Sequence, residues 1–471
     1  MTVLLSRRTL LGVSLAAFAA PACAGPPPDS LTPAAFGADA TGDATQALNA
    51  LFTAAARAGR PADLSAQATY SVSRLVLPDG LQTTGDGAVF RGDDATGRNQ
   101  TLVAVGERVR MEALKIAISG ASRAGFRIAT IGKGCQFERI EIEADQQTDT
   151  IGVISAGQDV RIGAFRSRFV DRPLHIKVDA AKPERNFRLG RFEAEGYVRA
   201  LRLDYLEQFE IGPLTVSGRS PNGSKHPGHN GILINGCHDG VFAPCRIADS
   251  GEHAIRIGGA QRNSARLRFQ GVEAIQPGGC GFKINPNFQR FAAEDIQIDR
   301  LHSEDGGEPL SGNADVLRIT HGRNIRVGEL TARGNKRRAS GWTGIKLNDV
   351  NGLTVERADI QDTVKSLLLI DERSDGDPAG VYNVHIKSFR GSVRDARAFV
   401  GIEFVSPTYE IGNIRLDDVD FRGDAVNLIA VSGDATIRTN GPVSIRGRAQ
   451  GPANIDGFAP GAPISVDVTR A

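Results

Sequence analysis

Triplets of apolar, variable, apolar residues recur along this chain. Leu174-His175-Ile176, Leu201-Arg202-Leu203, Ile232-Leu233-Ile234, Ile255-Arg256-Ile257 and Phe282-Lys283-Ile284 open one series. Leu317-Arg318-Ile319, Ile345-Lys346-Leu347 and Leu368-Leu369-Ile370 continue it, with central residues 23 to 35 positions apart. Alternation over so few residues marks a half-buried strand, flanks inward and centre outward. Repetition at this period predicts a solenoid. Further strand-like segments follow the triplets, such as Val241-Phe242-Ala243 with Cys245-Arg246-Ile247, and Leu353-Thr354-Val355 with Ile360. Gly, Asn and Asp break the segments, as turns require. Asn235, Asn285 and Asn348 recur just after a triplet, where they suit a hydrogen-bonded Asn stack or ordinary turns.

The opening of the chain has a different pattern. Apolar residues fall at helical spacing up to about Ala58, with Asp43 placed to cap the start and Gly59 to stop the helix. Such a helix would cover strand edges at the open end of a solenoid. Tyr70-Ser71-Val72 and Leu75-Val76-Leu77 read as the first strands, and after about residue 424 the pattern fades into an expected far-end coil and cap.

The segment Phe36-Gly37-Ala38, Gly42-Asp43, Thr45-Gln46-Ala47-Leu48, followed by a Leu77-Pro78-Asp79-Gly80 turn, resembles the pectate-lyase-like superfamily of exported polysaccharide-active proteins. Ala44 departs from the paired acidic residues usual there. The resemblance implies an all-β chain built as a right-handed parallel β-helix of roughly a dozen coils with an N-terminal helical cap. That superfamily hosts lyases, hydrolases, epimerases and phage tailspikes.

Stacked in register, the triplet centres form a column about 4.8 Å apart per step. Five of its eight members from His175 to Leu369 are Lys or Arg, against 56 in 471 for the whole chain. Like charges at strand spacing repel, so an anionic partner is expected to offset them; a basic solvated face is the plainer reading. The excess is local, because bulk charge is small. Formal net charge is +2, and removing Arg7 and Arg8 with an N-terminal leader takes it to zero. Bulk attraction to nucleic acid is therefore not expected.

Ser6-Arg7-Arg8-Thr9-Leu10-Leu11, an apolar run to Ala20 and Ala22-Cys23-Ala24 resemble a twin-arginine signal peptide over 1–24. Export in the folded state, to the periplasm or beyond, is the expectation. A Pro-rich lead-in over 25–34, cap and first coils over 35–99, coils with a cleft over 100–423, and a terminal coil and cap over 424–471 complete the division. No later run is long and apolar enough to span a membrane. Cys135, Cys237, Cys245 and Cys280 could pair in an oxidising compartment, or lie as thiols in the coil interior.

Candidate chemistry gathers at the loops that enter the triplet strands. Those near 217–230, 301–314 and 333–343 are long, and long loops carry function. They would wall a cleft floored by Arg256, Lys283, Arg318 and Lys346, with Arg202 further along. Such a floor suits an acidic, uronate-containing polysaccharide, and the resemblance implies β-elimination beside its carboxylate. That reaction needs a cation on the carboxylate, a base and an acid. Lys283 is placed as base, Arg256 and Arg318 as carboxylate holders, and His253 or His229 as acid. His226 and Trp342 are placed at the substrate, the latter by stacking under a sugar ring, although core packing would equally suit it. Asp249 and Glu252 form an alternative pair for glycoside hydrolysis. A non-catalytic glycan-binding or assembly protein is the third reading. Glu304, Asp305 and Glu308 offer oxygen donors to calcium without a defined ligand spacing, which also fits a solvated loop. No other cofactor is implied.

Overall fold

A computed structural model describes residues 31–93, 101–120, 127–222, 228–259, 261–286, 292–306, 315–334, 342–371, 380–403, 409–432, 438–451, 454–456, 458 and 461–470. Over these residues the chain is a parallel β-solenoid. Each turn contributes strands to three faces, called here the first, second and third sheets. The triplets form the first sheet. Its ladder runs through Leu201–Asp204, Ile232–Asn235, Ile255–Gly258 and Phe282–Ile284, then into Asp315–Arg333, Thr343–Thr363 and Ser366–Asp371. All of these pairings are parallel and in register. A one-residue slip would expose the flanking aliphatics, so the triplet pattern itself fixes register.

The interior is a stack of the inward residues. Phe209, Phe242, Phe269 and Phe282 follow one another in contact, with Phe242 and Phe269 stacked at 4.4 Å between ring centroids. Trp342 belongs to the same core and is 0% exposed.

A bend precedes the second sheet at the same place in successive turns. Asp159, Asn186, Gln208, Asp239, Arg266, Asp295, Asn324, Asn383 and Asn413 all take positive φ there, and Gly134 and Gly352 fill the same position. Short Asn and Asp side chains tolerate this left-handed backbone and bond locally. Side chains link along this column, as in Asn186 to Asp159 at 2.8 Å and Asn413 to Asn383 at 3.1 Å. The polar ladder of this solenoid therefore runs along the bend. Of the two readings of Asn235, Asn285 and Asn348, the stack does not form: on the first sheet Asn235 lies between Asp204 and Gly258, and Asn348 lies beside Thr320.

The N-terminal helix is Thr45–Ala58. Asp43 accepts the Thr45 N–H at 2.8 Å, and Gly59 ends the helix at φ +62°. Leu48, Leu51, Phe52 and Ala55 are buried, and Phe52 meets Phe90 edge-on. Beyond residue 424 pairing continues where the sequence pattern fades: Ile429 pairs with Ile455 and Val443 with Ile464. Cys135, Cys237, Cys245 and Cys280 are all buried thiols. No helix among the described residues is long and apolar enough to cross a membrane. The leader over 1–24 lies outside the described residues.

Candidate functional site

The first sheet points one residue per turn away from the core. Pairing sets these in a single column: His175, Arg202, Leu233, Arg256, Lys283, Arg318, Lys346 and Leu369, each beside the next. Arg256, Lys283, Arg318 and Lys346 thus occupy four consecutive rungs, spanning about 14 Å.

They are not an open floor. Lys283 is 6% exposed and Arg318 5%, whereas Arg256 and Lys346 are half-buried. Carboxylates on the same rung or the next one take up part of the charge, which corrects the picture of an uncompensated row. Arg318 Nη1 lies 3.6 Å from Asp315, and Lys346 Nζ lies 2.7 Å from Asp371. Asp315 is itself buried. Its burial lifts the carboxyl above the usual range, against the opposing pull of Arg318, Lys346 and Lys283.

His253 sits three residues before Arg256, at the entry to the sheet, and is 3% exposed. Its Nδ1 accepts the Cys280 backbone N–H at 3.0 Å, and its Nε2 lies 3.2 Å from Lys283 Nζ. Burial, followed by the charges of Lys283, Arg256 and Arg318, holds this imidazole well below the usual histidine range. His253 is therefore neutral. A ring nitrogen that accepts a backbone N–H carries no proton, so the proton is on Nε2. The Nε2 to Nζ contact is then a hydrogen bond when the Lys283 amine accepts, which only its neutral form can do. This arrangement corrects the expectation of His253 as the acid: a buried imidazole held neutral in a cationic setting is poorly charged to donate a proton.

The other expected residues are dispersed. His229 lies on the neighbouring turn, its carbonyl accepting the Glu252 N–H at 2.9 Å and its ring packed at Gly251. Arg202 donates to the buried Asp204 at 2.9 Å. Trp342 is fully enclosed, so its ring presents no face to a sugar; core packing is its role. His226, with Glu308 and the cations of 336–338, lies outside the described residues. Asp249 takes φ +59° on the turn before His253, and one buried carboxylate oxygen of Glu252 has no hydrogen-bond partner among the described residues. Asp305 is buried, and among the described residues no group of three His, Cys, Asp or Glu is placed to hold a metal ion.

Reading triplets alone missed the acids. Asp204 and Asp371 directly follow a triplet, at the position held by Asn235 and Asn348 elsewhere. Following that position along the chain would have exposed them. Asp315 precedes its triplet by two residues and gave no comparable signal.

No known sequence family and no curated protein matches the chain. Among solved structures it is similar to the pre-mature gene product 12 of bacteriophage phi29, with TM-score 0.49 and 14% identity. That alignment covers 89% of this chain and 63% of the phage protein, so this chain spans under two thirds of its length. It is also similar to a mutant tailspike protein of E. coli bacteriophage HK620 in complex with a pentasaccharide, with TM-score 0.45, 9% identity, and 93% and 78% of the two chains covered. A third is the A-module of the Azotobacter vinelandii mannuronan C-5 epimerase AlgE6, with TM-score 0.33, 14% identity, and 91% and 99% covered.

Proposed function

We propose that this protein is exported by the twin-arginine route and cleaves an acidic, uronate-containing polysaccharide on the outer face of the first sheet by β-elimination. The observation that carries this reading is the His253 to Lys283 contact, in which a protonated Nε2 faces an amine at 3.2 Å. A bond of that sense requires the neutral amine; like charge from Arg256 and Arg318 works toward that form, and the Asp315 carboxylate works against it. Lys283 then acts as the base and His253 as the residue that positions it. The amine takes the proton from the carbon next to the carboxylate. That electron pair forms the carbon–carbon double bond as the bond to the glycosidic oxygen breaks, and an acid protonates the departing oxygen. His229 is the remaining candidate for that acid. Arg256, half-buried, holds the substrate carboxylate, while Arg318 is oriented by Asp315.

The low exposure of Lys283 and Arg318 favours a second reading, a glycan-binding protein without turnover. Incubation with uronate polymers separates the readings. New ultraviolet absorbance from an unsaturated uronate is the expected result. Reducing ends without that absorbance would point to hydrolysis through Asp249 and Glu252, and binding with neither product to a carrier.

A further inference from the structure

The chemistry at Lys283 leaves unused a second group of cations on the same face. A cavity of about 170 Å³ is lined by Arg127, Arg172, Lys177, Arg199 and Arg202, with His175 beside them. Ile151, Ile154 and Leu174 supply apolar wall. Among the described residues, carboxylates and a carbonyl take up part of this charge, and Arg199 donates to the Gly228 carbonyl at 3.0 Å. Asp149 lies 3.3 Å from Arg172, and Asp204 lies 2.9 Å from Arg202. The side chains of Arg127 and Lys177 make no hydrogen bond or ion pair among the described residues. Arg172 Nε is buried with no hydrogen-bond partner among the described residues. Burial, then the charges of Arg202 and Arg172, brings Arg199 down to about 10.

Clustered guanidinium groups repel, and their planar forks match an oxyanion bidentately. We propose that this cavity is an oxyanion site that takes the charged group of an acidic sugar, a carboxylate or a sulfate. The cavity has room for that group and part of the ring bearing it. It lies on the column of the first sheet, with Arg202 three rungs before Lys283, about 14 Å away. A chain gripped at the cavity would therefore be held along the sheet with its next acidic sugars directed at Lys283. The identity of the ligand as a glycan rests on the function proposed above; the oxyanion chemistry does not.

The test is calorimetric titration of the whole protein with glucuronate, with inorganic sulfate and with neutral glucose. Saturable binding of glucuronate, or of sulfate, with none of glucose is the expected result. In the Arg127→Ala/Lys177→Ala double variant that binding weakens at least tenfold, and in Lys283→Met it is unchanged. Both altered side chains of the double variant are at least partly exposed, so the fold is retained, which circular dichroism checks. Glucuronate binding assigns a sugar-borne carboxylate; sulfate binding alone assigns a tetrahedral oxyanion. No saturable binding of either anion, or equal binding by the double variant, overturns the site. Anion binding here by a protein that leaves every uronate polymer intact keeps this site and removes the elimination reading.

Discussion

Asp204 Oδ2 lies 2.6 Å from His175 Nε2 on the preceding rung, while Asp204 Oδ1 accepts from Arg202 at 2.9 Å and from Asn235 at 2.7 Å. One buried carboxylate thus collects donors from three successive turns. Lys346 with Asp371 repeats the scheme near the other end of the cationic run. Carboxylates two residues past a triplet's centre help a column of like charges to stack at strand spacing.

Acid should weaken the fold through Asp204. Burial works to raise this carboxyl, but the His175 hydrogen bond and the Arg202 charge outweigh it and bring it from 3.8 to about 2. The folded pKa lies below the unfolded one, so the unfolded chain binds the proton first as pH falls. The contribution is whole above pH 4 and is lost between about pH 4 and 2, amounting to about 2 kcal/mol. Urea titration of Asp204→Asn should show that deficit at pH 7 and roughly half of it at pH 3. Equal deficits at both pH values would rule the linkage out.

The Arg318 and Asp315 pair makes a different prediction, because both groups are buried. Removing one partner leaves the other charge in the interior. Arg318→Met alone is expected to lose about 3 kcal/mol, and Arg318→Met with Asp315→Val to recover most of it. Chemical denaturation of the two variants measures this. A double variant no more stable than the single one would mean that Asp315 is held by other groups.

The column was legible in the sequence for a physical reason. Two buried aliphatics around one exposed position fix both the face and the register, so Arg256, Lys283, Arg318 and Lys346 align as the triplets imply. Depth was not legible. Whether Lys283 is open or covered depends on packing from neighbouring turns, which spacing along the chain does not encode. The Cys280 N–H that fixes the His253 tautomer comes from the next turn, 27 residues on. Trp342 misled because its position near Lys346 in sequence says nothing of which way the ring turns. The cations of the 170 Å³ cavity were partly visible through Arg202, but Arg127, Arg172 and Arg199 converge only once the turns stack.

The four thiols should be inert in the folded protein. Burial pushes Cys237, Cys245 and Cys280 up to about 12, and it raises Cys135 as well. Only the thiolate is a nucleophile. Iodoacetamide at pH 8 is therefore expected to label none of them natively and all four in denaturant, read by mass spectrometry. Rapid native labelling of any of them would contradict their enclosure.

Trp342 gives a direct probe of the interior. It is the single tryptophan, and it is fully buried. Native emission should resist quenching by acrylamide and should not respond to added acidic oligosaccharide. Unfolding should abolish the protection. Trp342→Ala opens a large core cavity and is expected to lose about 3–5 kcal/mol. Strong quenching by a bound sugar would instead restore the stacking role.

The assignment of Lys283 as base can be separated from any structural part it has. Lys283→Met keeps the length and packing of the side chain while removing the amine. Turnover on a uronate polymer should fall by about 10²- to 10⁴-fold with little change in melting temperature. The positioning role of His253 needs a readout that packing alone would not move. Its Nε2–H donates to the neutral amine and so favours that form. His253→Gln should lower kcat more than it alters KM and shift the pH–rate profile toward higher pH, because the amine then holds its proton more readily. A profile unchanged in shape, with the rate merely scaled, would leave His253 as a packing residue and break the link between its tautomer and the base.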